Sequence, residues 1–120
     1  MILPHILSVG LDQFLMRSRS GLLRQAGFVV DEAYNLNAAL AVVACDLVDI
    51  LVLCHTIPRN EQRWLISQVR NERWLIPIIC IHMRDYELAE NGCVRVSNDP
   101  VELLDAVRAA VPASLPGKPV

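Results

Sequence analysis

Residues 48–58 read VDILVLCHTIP. Asp49 to Leu53 make the most hydrophobic strand of the chain, without alternation, and Pro58 closes it off. A short run apolar on both faces marks a strand covered on both sides, the signature of a parallel sheet. The strand ends on a thiol beside an imidazole, Cys54 and His55. Strand ends of such sheets carry chemical groups to the rim, where ligands bind.

Working outward, His5 to Val9 is a second short apolar run, stopped by Gly10. Leu11, Phe14, Leu15, Leu22, Leu23 and Ala26 recur at helical spacing, and Gly27 supplies the C-cap. Arg17, Arg19 and Arg24 fall between them, as a solvated face or a docking surface. Residues 28–33 make a strand, and Asn35 or Asn37 caps a helix through Leu36, Ala39, Leu40, Val43 and Ala44. After Pro58 a helix covers about 60–73, with Trp64, Leu65, Gln68 and Val69 on its inner stripe and Trp64 as anchor. Trp74 follows it and packs toward the loop before Pro77. Residues 77–81 are a fourth strand, 85–91 a short helix and 93–96 a weak fifth strand. Asn98 or Asp99 then caps a helix that begins at Pro100 and runs to Val111. The tail PASLPGKPV holds three prolines, so residues 112–120 are expected to be a flexible tail or the start of a linker after a domain over 1–111.

Strands alternating with helices predict an α/β fold with helices on both faces. With right-handed crossovers, five such strands suit a flavodoxin-like three-layer sandwich, its parallel sheet ordered 2-1-3-4-5. The chain of 120 residues is 53% hydrophobic and 20% charged, a globular composition for one domain. No apolar run reaches the ~20 residues that span a bilayer. The start MILPHILSVG lacks a basic leader and a cleavage site, so a cytoplasmic protein without membrane contact is expected. A net charge of −2 argues against nucleic acid, which needs clustered positive charge. Cys45, Cys54, Cys80 and Cys93 include no CxxC pair and read as reduced, small apolar side chains. Residues 9–14, VGLDQF, stand where a nucleotide enzyme would carry G-x-G-x-x-G.

Three segments, GFVVDEAYNLNAAL at 27–40, DILVLCHTIP at 49–58 and NDPVELLDAVRAAV at 98–111, together resemble the receiver domain of bacterial response regulators. The resemblance spans about 4–111. It implies a module that takes a phosphoryl group from a histidine kinase onto an aspartate at the end of the third strand. That chemistry needs carboxylates to hold Mg²⁺, a hydroxyl after the fourth strand and a lysine after the fifth.

Carried over position by position, the resemblance sets Cys54 at the acceptor, Gly10 and Leu11 at the paired acids with Asp12 next door, and His82 at the hydroxyl. Val96 or Ser97 stands at the lysine, and Cys93 or Val94 at the aromatic switch. The only lysine in the chain is Lys118. Asp49 cannot substitute, because it lies five residues and about 16 Å from the site along the strand. These losses imply a pseudo-receiver, not an enzyme, with no metal and no cofactor, acting by protein–protein contact.

The alternative is a thiol-based redox or modification sensor, with Cys54 as the reactive group and His82 nearby. Zinc would need Cys80 or Asp12 to join them. The plain reading of Cys54 is a buried packing residue in a vacated pocket. His55 follows on the opposite strand face, and His5 reads as a solvent-edge histidine. The resemblance gives two contact surfaces, the first helix and the face over 84–111, where Arg84, Asp85, Glu87, Glu90, Arg95, Asp105 and Arg108 offer mixed charge for an output domain, a signalling partner or a homodimer.

Overall fold

The computed structural model describes residues 4–44, 48–72, 76–82, 93–97 and 99–114. Its elements run β1 (His5–Val9), α1 (Gln13–Gln25), β2 (Val29–Ala33), α2 (Leu36–Ala44), β3 (Ile50–Leu53), α3 (Arg59–Glu72), β4 (Ile78–His82), β5 (Val94–Ser97) and α4 (Pro100–Ser114). The five strands pair in parallel in the order β2-β1-β3-β4-β5, as the alternating pattern predicts. The short helix expected over 85–91, and Trp74, lie outside the described residues.

Strand parity splits the core in two. Leu7, Val9, Leu51, Leu53 and Ile78 face one way and meet Ala39 and Val43 of α2 and Leu65, Ile66 and Val69 of α3. Ile6, Ile50, Val52, Ile79, Ile81 and Val96 face the other way and meet Leu23 of α1 and Leu103 and Val107 of α4. Ile50, Leu51 and Leu53 are fully buried. Each such side chain contributes roughly 1.5–3 kcal/mol by leaving water, which is why a non-alternating run makes the central strand.

Polar residues set where the helices begin. The Asp12 carboxylate accepts from the backbone N–H of Phe14 and of Leu15 and caps α1. Asn35 Oδ1 accepts from the Ala38 N–H at 2.8 Å, so Asn35, not Asn37, caps α2. Asp99 Oδ1 accepts from the Val101 N–H and caps α4. Gly27, with φ of 102°, takes the left-handed turn that ends α1, and the Phe28 N–H returns to the Leu23 carbonyl.

Three expectations are corrected. The inner face of α1 is Met16, Arg19, Ser20 and Leu23, while Leu11 and Phe14 are exposed, Phe14 by 83%. A leucine-rich stripe competes with this one on the helix, and the stripe containing a charged residue wins because Arg19 and Ser20 find polar partners, Cys54 and Glu32. Trp64 is 43% exposed and does not anchor α3; Leu65, Ile66 and Val69 do. Finally, α4 continues through Pro112 to Ser114, three residues past Val111. Proline's fixed φ is helical, so in a last turn it costs a ladder bond without forcing a stop.

Candidate functional site

The rim at the carboxyl ends of β1 and β3 is built by short backbone links. The Cys54 N–H donates to the Val9 carbonyl at 2.8 Å, and the Ile57 N–H closes a turn onto the Cys54 carbonyl at 3.2 Å. Gln62 of α3 fastens that turn, its Nε2 donating to the carbonyls of Ile57 and Cys54. Thr56 Oγ1 accepts from the Leu11 N–H at 2.9 Å and ties the β1–α1 connection to the turn after β3.

Cys54 is 1% exposed. It continues the parity of Ile50 and Val52, so it turns toward the α1 side of the sheet. There Arg19 Nη1 donates to Cys54 Sγ at 2.7 Å. Arg19 is itself only 7% exposed, which corrects its assignment to a solvated face. Arg24 also bonds inward, through Nη2 to the Val30 carbonyl. A guanidinium is expensive to bury, and it is tolerated where its fork meets acceptors.

At Gly10 the rim is tightly packed. A β-carbon built there would lie 2.6 Å from Cys54 Cβ, 2.8 Å from Met16 Sδ and 3.2 Å from Thr56 Oγ1. Position 10, one of the two acid positions of the resemblance, therefore has no room for any side chain. Leu11 at the other is 50% exposed, and the Asp12 carboxylate is engaged as the α1 cap.

His55 is half-buried beside this cluster. Burial, then the positive charge of Arg19, hold its imidazole below the ordinary histidine range, and Asp12 opposes them more weakly. At the neighbouring strand ends His82 pairs with Ser97 in register. The side chains of His82 and Arg95 lie outside the described residues. Ser97 Oγ donates to Glu102 at 2.5 Å and accepts from the Asp99 N–H. Val96 points into the core, so Ser97 is the residue that stands at the rim.

The remaining sequence candidates scatter. Cys80 and Cys93 pack with the α2–α3 side of the core, and Cys93 is buried while Val94 is 53% exposed. His5 Nε2 lies 2.6 Å from Asp31 Oδ2, and Asp49 accepts from the His5 N–H, far from Cys54 along the strands. Asp105 and Arg108 are exposed on α4, whereas Arg84, Asp85, Glu87 and Glu90 lie outside the described residues. Among the described residues no group of three or more His, Cys, Asp or Glu side chains is gathered to hold a metal ion. None of their helices is long and apolar enough to cross a membrane.

A hard cation wants several oxygen ligands; among the described residues, positions 10, 11, 12 and 54 present a glycine, a leucine, a carboxylate bound to two backbone donors, and a thiol. A guanidinium stands beside the thiol. Sequence reasoning missed Arg19 and Thr56. Parity could have found the first, since Cys54 shares a sheet face with Ile50 and Val52, and that face is the one α1 covers.

No protein-family model and no curated protein sequence matches the chain. Its structure is similar to the receiver domain protein (CheY-like) of Methanospirillum hungatei JF-1, with a TM-score of 0.81 at 20% identity, over 94% of this chain and 97% of that one. It is similar to the chemotaxis protein CheY4 of Vibrio cholerae, with a TM-score of 0.77 at 18% identity over 91% and 99% of the two chains. It is also similar to the receiver domain of the hybrid histidine kinase CckA, with a TM-score of 0.75 at 22% identity over 89% and 98%. The strand order, the alternation of strands and helices and these superpositions agree, and the chain has the fold of the CheY-like response-regulator receiver domains.

Proposed function

We propose that the chain is a pseudo-receiver: a signalling module that keeps the receiver fold and does not take a phosphoryl group by aspartate and magnesium chemistry. The observation that carries this reading is the rim itself. The acceptor position is a thiol, Cys54, 1% exposed and in contact with a guanidinium, and the acid position at Gly10 is sterically closed. Phosphoryl transfer needs an ionised carboxylate and a divalent ion held against it, and neither part has a place here.

Without transfer chemistry the domain acts as a binding partner in the cytoplasm and catalyses nothing. The receiver similar to it in CckA belongs to a hybrid histidine kinase, which favours a signalling protein or an output domain as the partner. The α4 face, with Asp105 and Arg108 exposed, is a contact surface for that partner or for a second copy. A formal charge of −2 disfavours nucleic acid.

Incubation with acetyl phosphate and Mg²⁺, read by intact mass, tests the reading. The expected result is no adduct. A stoichiometric, hydroxylamine-sensitive adduct of one phosphoryl group refutes it.

The Arg19 contact gives one reason to keep the thiol-sensor reading, because it sets a polar group directly on the Cys54 sulfur. The burial of Cys54 weighs against it, since reactive thiols sit where reagents reach them. Alkylation in the native state decides between them: a sensor reacts at the rate of an accessible thiolate, a packing residue only as fast as the domain opens.

A further inference from the structure

The side chain beside position 54 brings a charge of its own to this rim. Arg19 reaches in from α1, is 7% exposed and donates to Cys54 Sγ at 2.7 Å. A thiol sulfur is a weak acceptor for a guanidinium that has left water. A carboxylate is the partner that geometry and charge suit best. After burial, the Arg19 charge is the next influence that holds the His55 imidazole below its ordinary range.

The geometry points to Arg19 as the resident cation of this rim: beside position 54 it takes the electrostatic role that receiver chemistry gives to a divalent ion. This rests on the pseudo-receiver reading and deepens it. The rim is closed around a fixed positive charge supplied by the chain, and its state is independent of magnesium. One consequence is specific. A carboxylate restored at position 54 pairs with Arg19 and does not recruit a metal.

A double-mutant cycle with Cys54→Asp and Arg19→Gln, followed by urea unfolding, tests this. Cys54→Asp is expected to fold and to keep a midpoint close to that of the parent, although it buries a carboxylate at a position 1% exposed. In the Arg19→Gln background the same change is expected to lower the folding equilibrium constant at least about tenfold more, within the range of coupling seen for residues in contact. Additive effects overturn the assignment, and so does a Cys54→Asp protein that fails to fold. If Arg19→Gln is itself unfolded, Arg19→Lys replaces it in the cycle, with weaker but non-zero coupling expected because the charge is kept and the fork lost; zero coupling there overturns the assignment equally. Magnesium chloride is expected to leave the Cys54→Asp midpoint unchanged, and a rise overturns the assignment. The acetyl phosphate experiment on the parent is independent of this cycle. An adduct there refutes the pseudo-receiver reading, whereas vanishing coupling with an inert parent refutes only the role given to Arg19.

Discussion

Replacing Gly10 by alanine probes the closure of the rim with a single methyl group. The new carbon would sit 2.6 Å from Cys54 Cβ and 2.8 Å from Met16 Sδ. Normal contact between such atoms is about 3.5–4.0 Å. The Met16 thioether belongs to a flexible side chain and can withdraw. Cys54 Cβ cannot, because it is bonded to the backbone and the Cys54 N–H is held by Val9. The two strands must therefore part by a sizeable fraction of an ångström, or the turn after β3 must shift. Overpacking of this kind costs about 1–3 kcal/mol. Alanine also lowers the entropy of the unfolded chain, which stabilises by about 0.4–1 kcal/mol. Gly10 does not have a left-handed φ, so backbone strain adds nothing. The overpacking wins, and the net loss is about 1–2 kcal/mol. Urea unfolding followed by far-UV circular dichroism reads it as a lower midpoint at unchanged slope. The loss should persist in a Cys54→Ala background, which keeps the offending carbon, and shrink in Cys54→Gly, which removes it. A neutral Gly10→Ala, or an equal loss in the alanine and glycine backgrounds, refutes the claim that Cys54 closes the acid position.

Two further outcomes follow from the same residues. Asp12→Ala removes the acceptor of the Phe14 and Leu15 N–H groups and should cost about 1 kcal/mol by urea unfolding, whereas Asp12→Asn should cost far less, since asparagine caps nearly as well. If instead the two substitutions cost the same, the carboxylate charge matters more than the cap. His55 is held below its ordinary pKa by burial and by Arg19, so in the window just below about 6.5 the unfolded chain binds more protons than the folded one and stability rises with pH. That contribution is present at neutral pH and is lost as pH falls through the unfolded value toward the folded one. Titration by NMR should show the His55 pKa rising in Arg19→Gln, and His55→Gln should flatten the pH dependence of stability just below about pH 6.5. An unmoved His55 titration in Arg19→Gln would separate the two groups electrostatically.

Much of the architecture was legible because it rests on periodicity. The apolar run Ile50–Leu53 could only be a covered central strand, and its neighbours alternate in the rhythm that a parallel sheet imposes. The caps were legible as residue types and ambiguous by position. Asn35 rather than Asn37, and Asp99 as the residue that bonds the Val101 N–H, are settled by which side chain reaches the orphan donors. The face of α1 was misread for a definite reason. Leucines at 11, 15 and 22 outnumber the apolar residues on the true inner stripe, and propensity rules send an arginine outward. Tertiary contacts override this where a buried cation has partners, and those partners come from strands that sequence spacing does not connect. The same limit hid Thr56, whose hydroxyl bonds a backbone group forty-five residues away. Trp64 was assigned inward because large aromatic residues bury the most area, yet the stripe Leu65, Ile66 and Val69 already fills the space over the sheet.

The absent acids and the buried arginine are best read as one change. A rim with carboxylates at positions 10, 11 and 54 gathers negative charges that repel one another, and a divalent ion is what makes such a cluster tolerable. Remove the carboxylates and the ion has no ligands. The strands can then close over the gap, which Gly10 permits and Cys54 and Met16 accomplish. A charge buried among packed side chains must be one the chain can satisfy itself. Arg19 is such a charge: it is anchored on α1, meets Cys54, and lies close enough to His55 to disfavour a second positive charge there. The rim of a phosphorylated receiver changes charge when it is switched. On the pseudo-receiver reading proposed above, Arg19 is a cation covalently part of the fold and offers no such change, so regulation is expected to act on the surfaces of the domain.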